Sequence, residues 1–261
     1  MRTEVVSEPG LPDHPNEDFA AVALPADGQG GCLVVLDGVT PVPETGCLHS
    51  VPWFTGRLGG ALTELTVSRR DLTLREVLAH TIRGTAEAHA ATCDLSHPRT
   101  PQATVVLVRW SADSVEYLVL SDSVLLLESD DGLVTPVLDD RLARLPPASL
   151  ATDALVDATL RNKEGGFFTA AADPSVAERA VTGTVPRTRV RALAALTDGA
   201  ARWVEKFHEG DWTQCLGLLR KEGAGALVDR VRLLERSDRE ERAYLGRSKT
   251  HDDATAVFVR M

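Results

Sequence analysis

Gly31-Cys-Leu-Val-Val-Leu-Asp-Gly-Val-Thr40 is the stretch on which the reading of this chain turns. Cys32 to Leu36 is short, wholly apolar and rich in β-branched residues, which predicts a strand buried on both faces. It stops abruptly at Asp37-Gly38. A carboxylate at the exit of a buried strand is partly desolvated, a costly place for an unpaired charge. The glycine after it allows a sharp turn and exposes its carbonyl. One carboxylate and one carbonyl on a rigid strand end begin a hard-cation site. Read alone, the same residues also make a strand with an ordinary Asp-Gly turn.

Outward from this strand, acidic residues recur at strand ends. Asn16-Glu17-Asp18 precedes an expected strand over residues 19–24, and Ala26-Asp27-Gly28-Gln-Gly-Gly31 reads as the turn of a hairpin into residues 32–36. Antiparallel pairing brings Glu17, Asp18 and Asp37 to one sheet edge, where three carboxylates repel one another unless a cation sits among them. A proline-punctuated loop with Pro41, Pro43 and Gly46 carries Cys47 and His49 into two expected helices. The first covers residues 51–69, with Trp53, Phe54, Leu58, Leu62 and Leu65 at helical spacing. The second opens on the capping box Thr73-Leu-Arg-Glu76 and continues to Cys93.

Strands follow over residues 103–110, 115–120 and 124–128, with Ser121-Asp122-Ser123 turning between the last two, and a fourth strand is expected at 133–138. Asp139-Asp140 reads as solvated turn charge. Helices are expected at 149–160 and from Pro174, capped by Asp173. Residues 189–196 form a strand entering Thr197-Asp198-Gly199, a second strand-to-Asp-Gly junction. Helices over 200–208, 211–221 and 224–239, a loop at 244–250, then His251-Asp252-Asp253 and a strand at 254–259 complete the chain. Strands in runs, with helices clustered elsewhere, indicate an antiparallel α+β sandwich rather than βαβ units. No repeat, low-complexity tract or linker interrupts residues 1–261, so one domain is expected.

Composition narrows the partners. At 261 residues the chain can bury a large core, and 43% hydrophobic with 25% charged residues is ordinary for a globular protein. A net charge of −10 without any basic run argues against nucleic acid and anionic membrane. No apolar run has the length of a span or the form of a leader, so the expected location is the cytoplasm. Four scattered cysteines argue against a disulfide framework.

The ordered set Asn16-Glu17-Asp18, Asp37-Gly38, Ser121-Asp122-Ser123, Thr197-Asp198-Gly199 and Asp252-Asp253-Ala254-Thr255 resembles the metal-dependent protein phosphatases (PPM, or PP2C). The resemblance implies a four-layer α-β-β-α sandwich, two antiparallel sheets flanked by helices, with two Mn²⁺ or Mg²⁺ ions at one end. It implies that Asp37 bridges both ions, that Gly38 offers its carbonyl, and that Glu17 and Asp18 form the acidic pair beside them. Asp198 and Asp252 match the carboxylates of the other ion, and Asp122 a residue of a weaker third site. The implied activity is hydrolysis of phosphomonoesters, by default on phosphoserine or phosphothreonine protein, by a metal-bridged hydroxide with no protein nucleophile. The region from about 133 to 187 occupies the place of the variable flap that shapes substrate choice.

The sequence departs from that pattern at the substrate rather than at the metals. Where family members usually carry a phosphate-gripping Arg, this chain has Asp13, with His14 beside it, and Val39-Thr40-Pro41 replaces the glycines after Asp37-Gly38. His14, His49 or Arg57 is then expected to contact phosphate or protonate the leaving group. Ser121 stands where the family's Gly-Asp-Ser motif has Gly. Two alternatives stay open: a catalytically weak module that binds a phosphorylated partner, and a phosphatase for a phosphorylated small molecule. Separately, Cys47, His49, Cys93 and His97 would make a Cys₂His₂ zinc site if their loops met, against the plainer reading of two thiols and two loop histidines.

Overall fold

Period-two alternation builds both sheets. One sheet holds β2 (Phe19–Ala23), β3 (Gly31–Leu36), β4 (Val105–Trp110), β5 (Ser114–Leu120) and β8 (Val181–Pro186), in the order β2-β3-β4-β5-β8. The other is β1 (Arg2–Glu8), β10 (Ala254–Arg260), β9 (Val190–Leu196), β6 (Val124–Ser129) and β7 (Val134–Val137), in the order β1-β10-β9-β6-β7. Every pairing among them is antiparallel. The computed structural model describes all residues except 27, 29, 42, 43, 241 and 245–248. The expected hairpin turn at 27 and 29, Pro43 of the proline-rich loop and most of the 244–250 loop therefore lie outside the described residues.

Alternate side chains of each central strand face different layers. In β3, Leu33 and Val35 point between the sheets, where they meet Val106, Val108, Leu193, Val257 and Val259. Val34 and Leu36 point outward to Phe54, Leu58 and Leu62 of α1 (Val51–Ser68) and to Leu78 and Ile82 of α2 (Leu74–His89). On the far side, Ala194, Leu196, Ala256 and Phe258 pack under α4 (Asp198–Glu205), α5 (Trp212–Glu222) and α6 (Ala224–Ser237). Cys32 through Leu36 are 0% exposed, because both faces of that strand are covered. The layers run α-β-β-α. No described helix is long and apolar enough to cross a membrane.

The helix termini follow local chemistry. Both halves of the Thr73–Glu76 capping box form, and Ser50 accepts from Trp53 N–H at 3.3 Å to start α1. Two strands lie where no element was expected, and three expectations need correction. β1 and β8 carry no clear apolar pattern; both are sheet edges, half exposed along their length. The helix expected at 149–160 divides into a 3₁₀ turn (Pro147–Leu150) and a short α3 (Asp153–Thr159). The segment after Asp173 is a 3₁₀ helix (Pro174–Arg179) rather than an α-helix, although Asp173 caps it by accepting from Ser175 N–H at 2.8 Å. Finally, α2 stops at His89, short of Cys93, and the chain turns there.

Candidate functional site

Five acidic segments end at one edge of the sandwich. Register places them: Phe19 pairs with Leu36, so Asp18 and Asp37 leave their strands together, and Ala256 pairs with Leu196, so Asp198 and Asp252 do likewise. Both Asp-Gly junctions depend on glycine for closeness rather than for a left-handed turn, since neither Gly38 nor Gly199 has positive φ. A Cβ on Gly38 would lie 2.5 Å from the Glu17 carbonyl oxygen, and one on Gly199 would lie 1.9 Å from that of Asp253. The sharp-turn explanation for Gly38 is thus replaced by one of backbone packing. The bonds from Val39 N–H to Gln102 O (3.0 Å) and Thr104 N–H to Asp37 O (2.9 Å) flank Gly38, leaving its own carbonyl out of that ladder.

The carboxylates are within electrostatic reach of one another. Burial pushes Asp37 well above the usual carboxylate range, and the charges of Asp198, Asp18, Asp122 and Asp252 push it further. Burial, reinforced by Asp253 and Asp198, raises Asp18 to about 8 against the opposing hydroxyl bonds. Burial with Asp252 and Asp122 raises Asp198 to about 7. Asp122 and Glu17 are raised as well, chiefly by burial. Asp18 is held by hydroxyls from the two strands carrying the other acids: Thr255 Oγ1 at 2.7 Å and Thr197 Oγ1 at 3.0 Å, both donating to Oδ2. Its Oδ1 is buried without a partner. Asp253 is structural; it accepts from Gly10 N–H and Glu17 N–H, each at 2.7 Å.

This donor set suits hard divalent cations. It is all oxygen, it carries unneutralised negative charge, and it leaves a buried oxygen unpartnered. Asp37, Asp198, Asp252, Asp18, Asp122, Glu17 and the Gly38 carbonyl are the groups that could hold ions. The carboxylate oxygens stand apart: among the described residues, the three-ligand cluster with donor atoms within 4.8 Å of one another is elsewhere, at Cys47, His89 and Cys93.

One corner is already neutralised. Asp252 binds Arg202 at 2.9 Å and Lys249 at 2.8 Å. Arg202 also pairs with fully buried Glu235 at 2.7 Å, and Glu235 takes Arg232 and His251 at 2.8 Å each. Lys249 Nζ further bonds to Thr40 Oγ1, which donates to Glu17 Oε2 at 2.8 Å. Burial disfavours the charge on Lys249, but Asp252, Asp198 and Asp37 more than offset that and hold it protonated.

A cleft of about 520 Å³ opens over Asp37, Asp122, Asp198 and Asp252. Its other wall comes from Arg99, Asp153 and Val156 of α3, Arg161, and Phe167. Arg99 and Arg161 share Asp157, at 2.5 and 3.0 Å, and Arg161 lies over the Phe167 ring at 5.1 Å. Arg99 also pairs with Asp153 at 3.3 Å, so the two guanidinium groups of this wall are held by two carboxylates. His14 lines a smaller side pocket with Glu17, Thr40 and Asp252, while Asp13 is exposed and does not line the cleft. His49 and Arg57 are placed elsewhere: His49 stacks on Trp53 at 3.9 Å, and Arg57 lies over the same ring on the outer side of α1. Asp139 is not a solvated turn charge. It is buried, accepts from Ser121 N–H at 2.8 Å and pairs with Arg141 at 2.6 Å. Ser121 itself sits at φ +69°, a conformation that favours glycine.

No family model matches the sequence, and no curated protein is similar to it at the level of sequence. Solved structures are another matter. The chain superposes on the serine/threonine phosphatase Stp1 from Staphylococcus aureus with a TM-score of 0.62 at 14% identity, over 99% of this chain and 94% of that one. The fold is that of the PP2C-type phosphatases. The serine-threonine phosphatase 2C of Toxoplasma gondii gives a TM-score of 0.64 at 14% identity, covering 99% and 94%. The catalytic domain of the serine threonine protein phosphatase PstP, solved with two manganese ions, gives 0.56 at 18% identity, covering 98% and 96%. The PP2C likeness expected from five scattered acidic motifs therefore holds for the whole architecture.

Proposed function

We propose that the chain is a phosphomonoesterase of the PP2C type, using Mn²⁺ or Mg²⁺ at Asp37, Asp198, Asp252, Glu17 and the Gly38 carbonyl, with Asp18 and Asp122 beside them. The observation that carries this is Asp37. A desolvated carboxylate pushed up by four neighbouring acids costs stability unless cations share the site. Divalent ions held there would polarise phosphoryl oxygens and lower the pKa of an attacking water. The chain's own contribution is placement: strand ends fix Asp37 and Asp198, and Thr197 and Thr255 orient Asp18.

The substrate phosphate is gripped by Arg99 and Arg161. They line the cleft where Asp13 and His14 do not, and a planar guanidinium suits a phosphate oxygen pair. Phosphoserine or phosphothreonine protein is the default substrate, with a phosphorylated small molecule as the alternative. The test is hydrolysis of p-nitrophenyl phosphate with added Mn²⁺, repeated with Asp37→Asn and Asp198→Asn. Metal-dependent turnover lost in both supports the reading; equal rates with and without metal overturn it.

One observation favours the second reading, a binding module with weak turnover. Lys249 stands against Asp252, supplying a fixed positive charge where a metal carboxylate is expected. Saturable binding of a phosphopeptide without Mn²⁺-dependent hydrolysis would select that alternative.

A further inference from the structure

The most compact set of metal-ligating atoms in the described residues is unrelated to the carboxylate cleft. Cys47, in the loop after Gly38, meets His89, the last residue of α2, and Cys93 in the turn beyond it, with all three donor atoms within 4.8 Å of one another. The Cys47 sulfur lies 3.4 Å from His89 Nδ1. Tetrahedral zinc, with bonds of about 2.3 Å to sulfur and about 2.0–2.1 Å to nitrogen, spaces such a pair by roughly 3.5 Å. We propose that Cys47, His89 and Cys93 bind a zinc ion that ties the cleft-wall loop to α2.

Three features built into this corner support the assignment. Each sulfur receives a main-chain N–H, Leu48 to Cys93 at 3.3 Å and His49 to Cys47 at 3.4 Å, and such donors stabilise thiolate over thiol. The imidazole is 2% exposed and packed by Trp53 and Phe54, with ring centroids at 5.3 and 6.5 Å, so its orientation is fixed. Its Nδ1 is the ring nitrogen that meets the Cys47 sulfur. Cys47 and Cys93 are both half-exposed, which gives the ion a route in and leaves a fourth corner for water or for His49. The His49 ring centroid is 5.9 Å from that of His89.

Soft sulfur donors with imidazole select zinc over the Mn²⁺ or Mg²⁺ suited to the carboxylates. Binding leaves both cysteines as thiolates, with any thiol protons released to solvent. His97, expected from sequence to complete this set, instead accepts from Arg99 N–H through Nδ1 at 3.1 Å and packs against Gly46. The helical His89 takes its place. The loop tied down in this way also carries Thr40 and Pro41 into the cleft. The site nonetheless stands whether or not that cleft hydrolyses phosphate.

The full chain, purified in chelator-free buffer and dialysed against metal-scavenging resin, is expected to retain one equivalent of zinc. Cys47→Ser and Cys93→Ser should each lose it, whereas Asp37→Asn should keep it, which separates this site from zinc on the carboxylates. On the unmutated protein, replacing zinc by Co²⁺ should give the intense near-ultraviolet sulfur-to-cobalt absorption of thiolate ligation, and zinc should slow thiol modification at two cysteines. This measurement does not depend on the serine variants folding. Absence of the cobalt band, with both thiols reacting at the same rate with and without zinc, would overturn the proposal. So would a Cys47–Cys93 disulfide in protein purified under reducing conditions.

Discussion

The acidic strand ends and the arginine-bearing wall border the same cleft, yet they handle charge in opposite ways. On the wall, Arg99 and Arg161 converge on Asp157, so each cation has its counter-charge within 3.0 Å. At the strand ends, Asp18, Asp37, Asp122 and Asp198 face mainly one another, and of these acids and Asp252 only Asp252 forms an ion pair among the described residues. The wall is a finished piece of structure. The strand ends are an unbalanced one, costly in stability unless the proposed cations sit among them. That asymmetry is what separates a binding site from a buried ion-pair network.

The sharpest way to break the comparison is to remove the charge at its centre. Asp37→Asn should lower Mn²⁺-dependent hydrolysis of p-nitrophenyl phosphate by at least about 100-fold, the scale of losing a preorganised electrostatic group. Unchanged turnover would mean that the strand ends are not the site. On the wall, Arg161→Ala should raise KM for the same ester by about 10- to 100-fold, the worth of a charge-assisted bond. Arg161→Lys should recover part of it. A change in kcat alone would argue that the wall does not grip phosphate.

Lys249 tests the boundary between the two kinds of site. Lys249→Ala should tighten apparent Mn²⁺ affinity by up to roughly fivefold, because a partly exposed cation competing for Asp252 is worth at most about 1 kcal/mol. Weaker Mn²⁺ binding would instead assign Lys249 an orienting role. The acids also predict a pH dependence. Asp18 at about 8 and Asp198 at about 7 lie above the unfolded value of about 3.9. Between those limits the folded state holds more protons, so stability falls as pH rises. Metal-free protein should therefore melt lower at pH 8 than at pH 5, and Mn²⁺ should raise the midpoint more at pH 8. A metal-free midpoint that does not fall, or the same slope in Asp18→Asn/Asp198→Asn, would contradict this. The smallest effect is expected at Ser121, whose φ of +69° suits glycine; Ser121→Gly should add up to about 1 kcal/mol in a denaturant titration.

What could be read from sequence follows from where each signal is written. Residues 32–36 announce their burial because both faces are covered, so every position is apolar. The acids that matter lie directly beside such strands, and their order along the chain carried the fold. β1 and β8 escaped notice because edge strands need only one buried face, and theirs is thinly apolar. Arg99, Arg161 and Lys249 were invisible for a different reason. They reach the cleft from irregular segments whose course no periodicity dictates. The zinc corner fell between: Cys47 and Cys93 stood out, but His89 reads as one more residue of an amphipathic helix. Only the end of α2 reveals which way its ring points.

The pairing of β10 between β1 and β9 has a consequence for how the protein comes into being. Asp252 and Asp253 arrive just ahead of β10. Asp253 anchors Gly10 and Glu17, and Thr255 anchors Asp18, across more than two hundred residues of chain. A ribosome-bound chain can fold the β2–β5 layer early, but its acidic pocket stays unassembled until residues 252–260 have emerged. Under the proposed function, divalent ions would therefore meet their ligands only at the close of synthesis, and a chain released early would be left with carboxylates that have nothing to gather around.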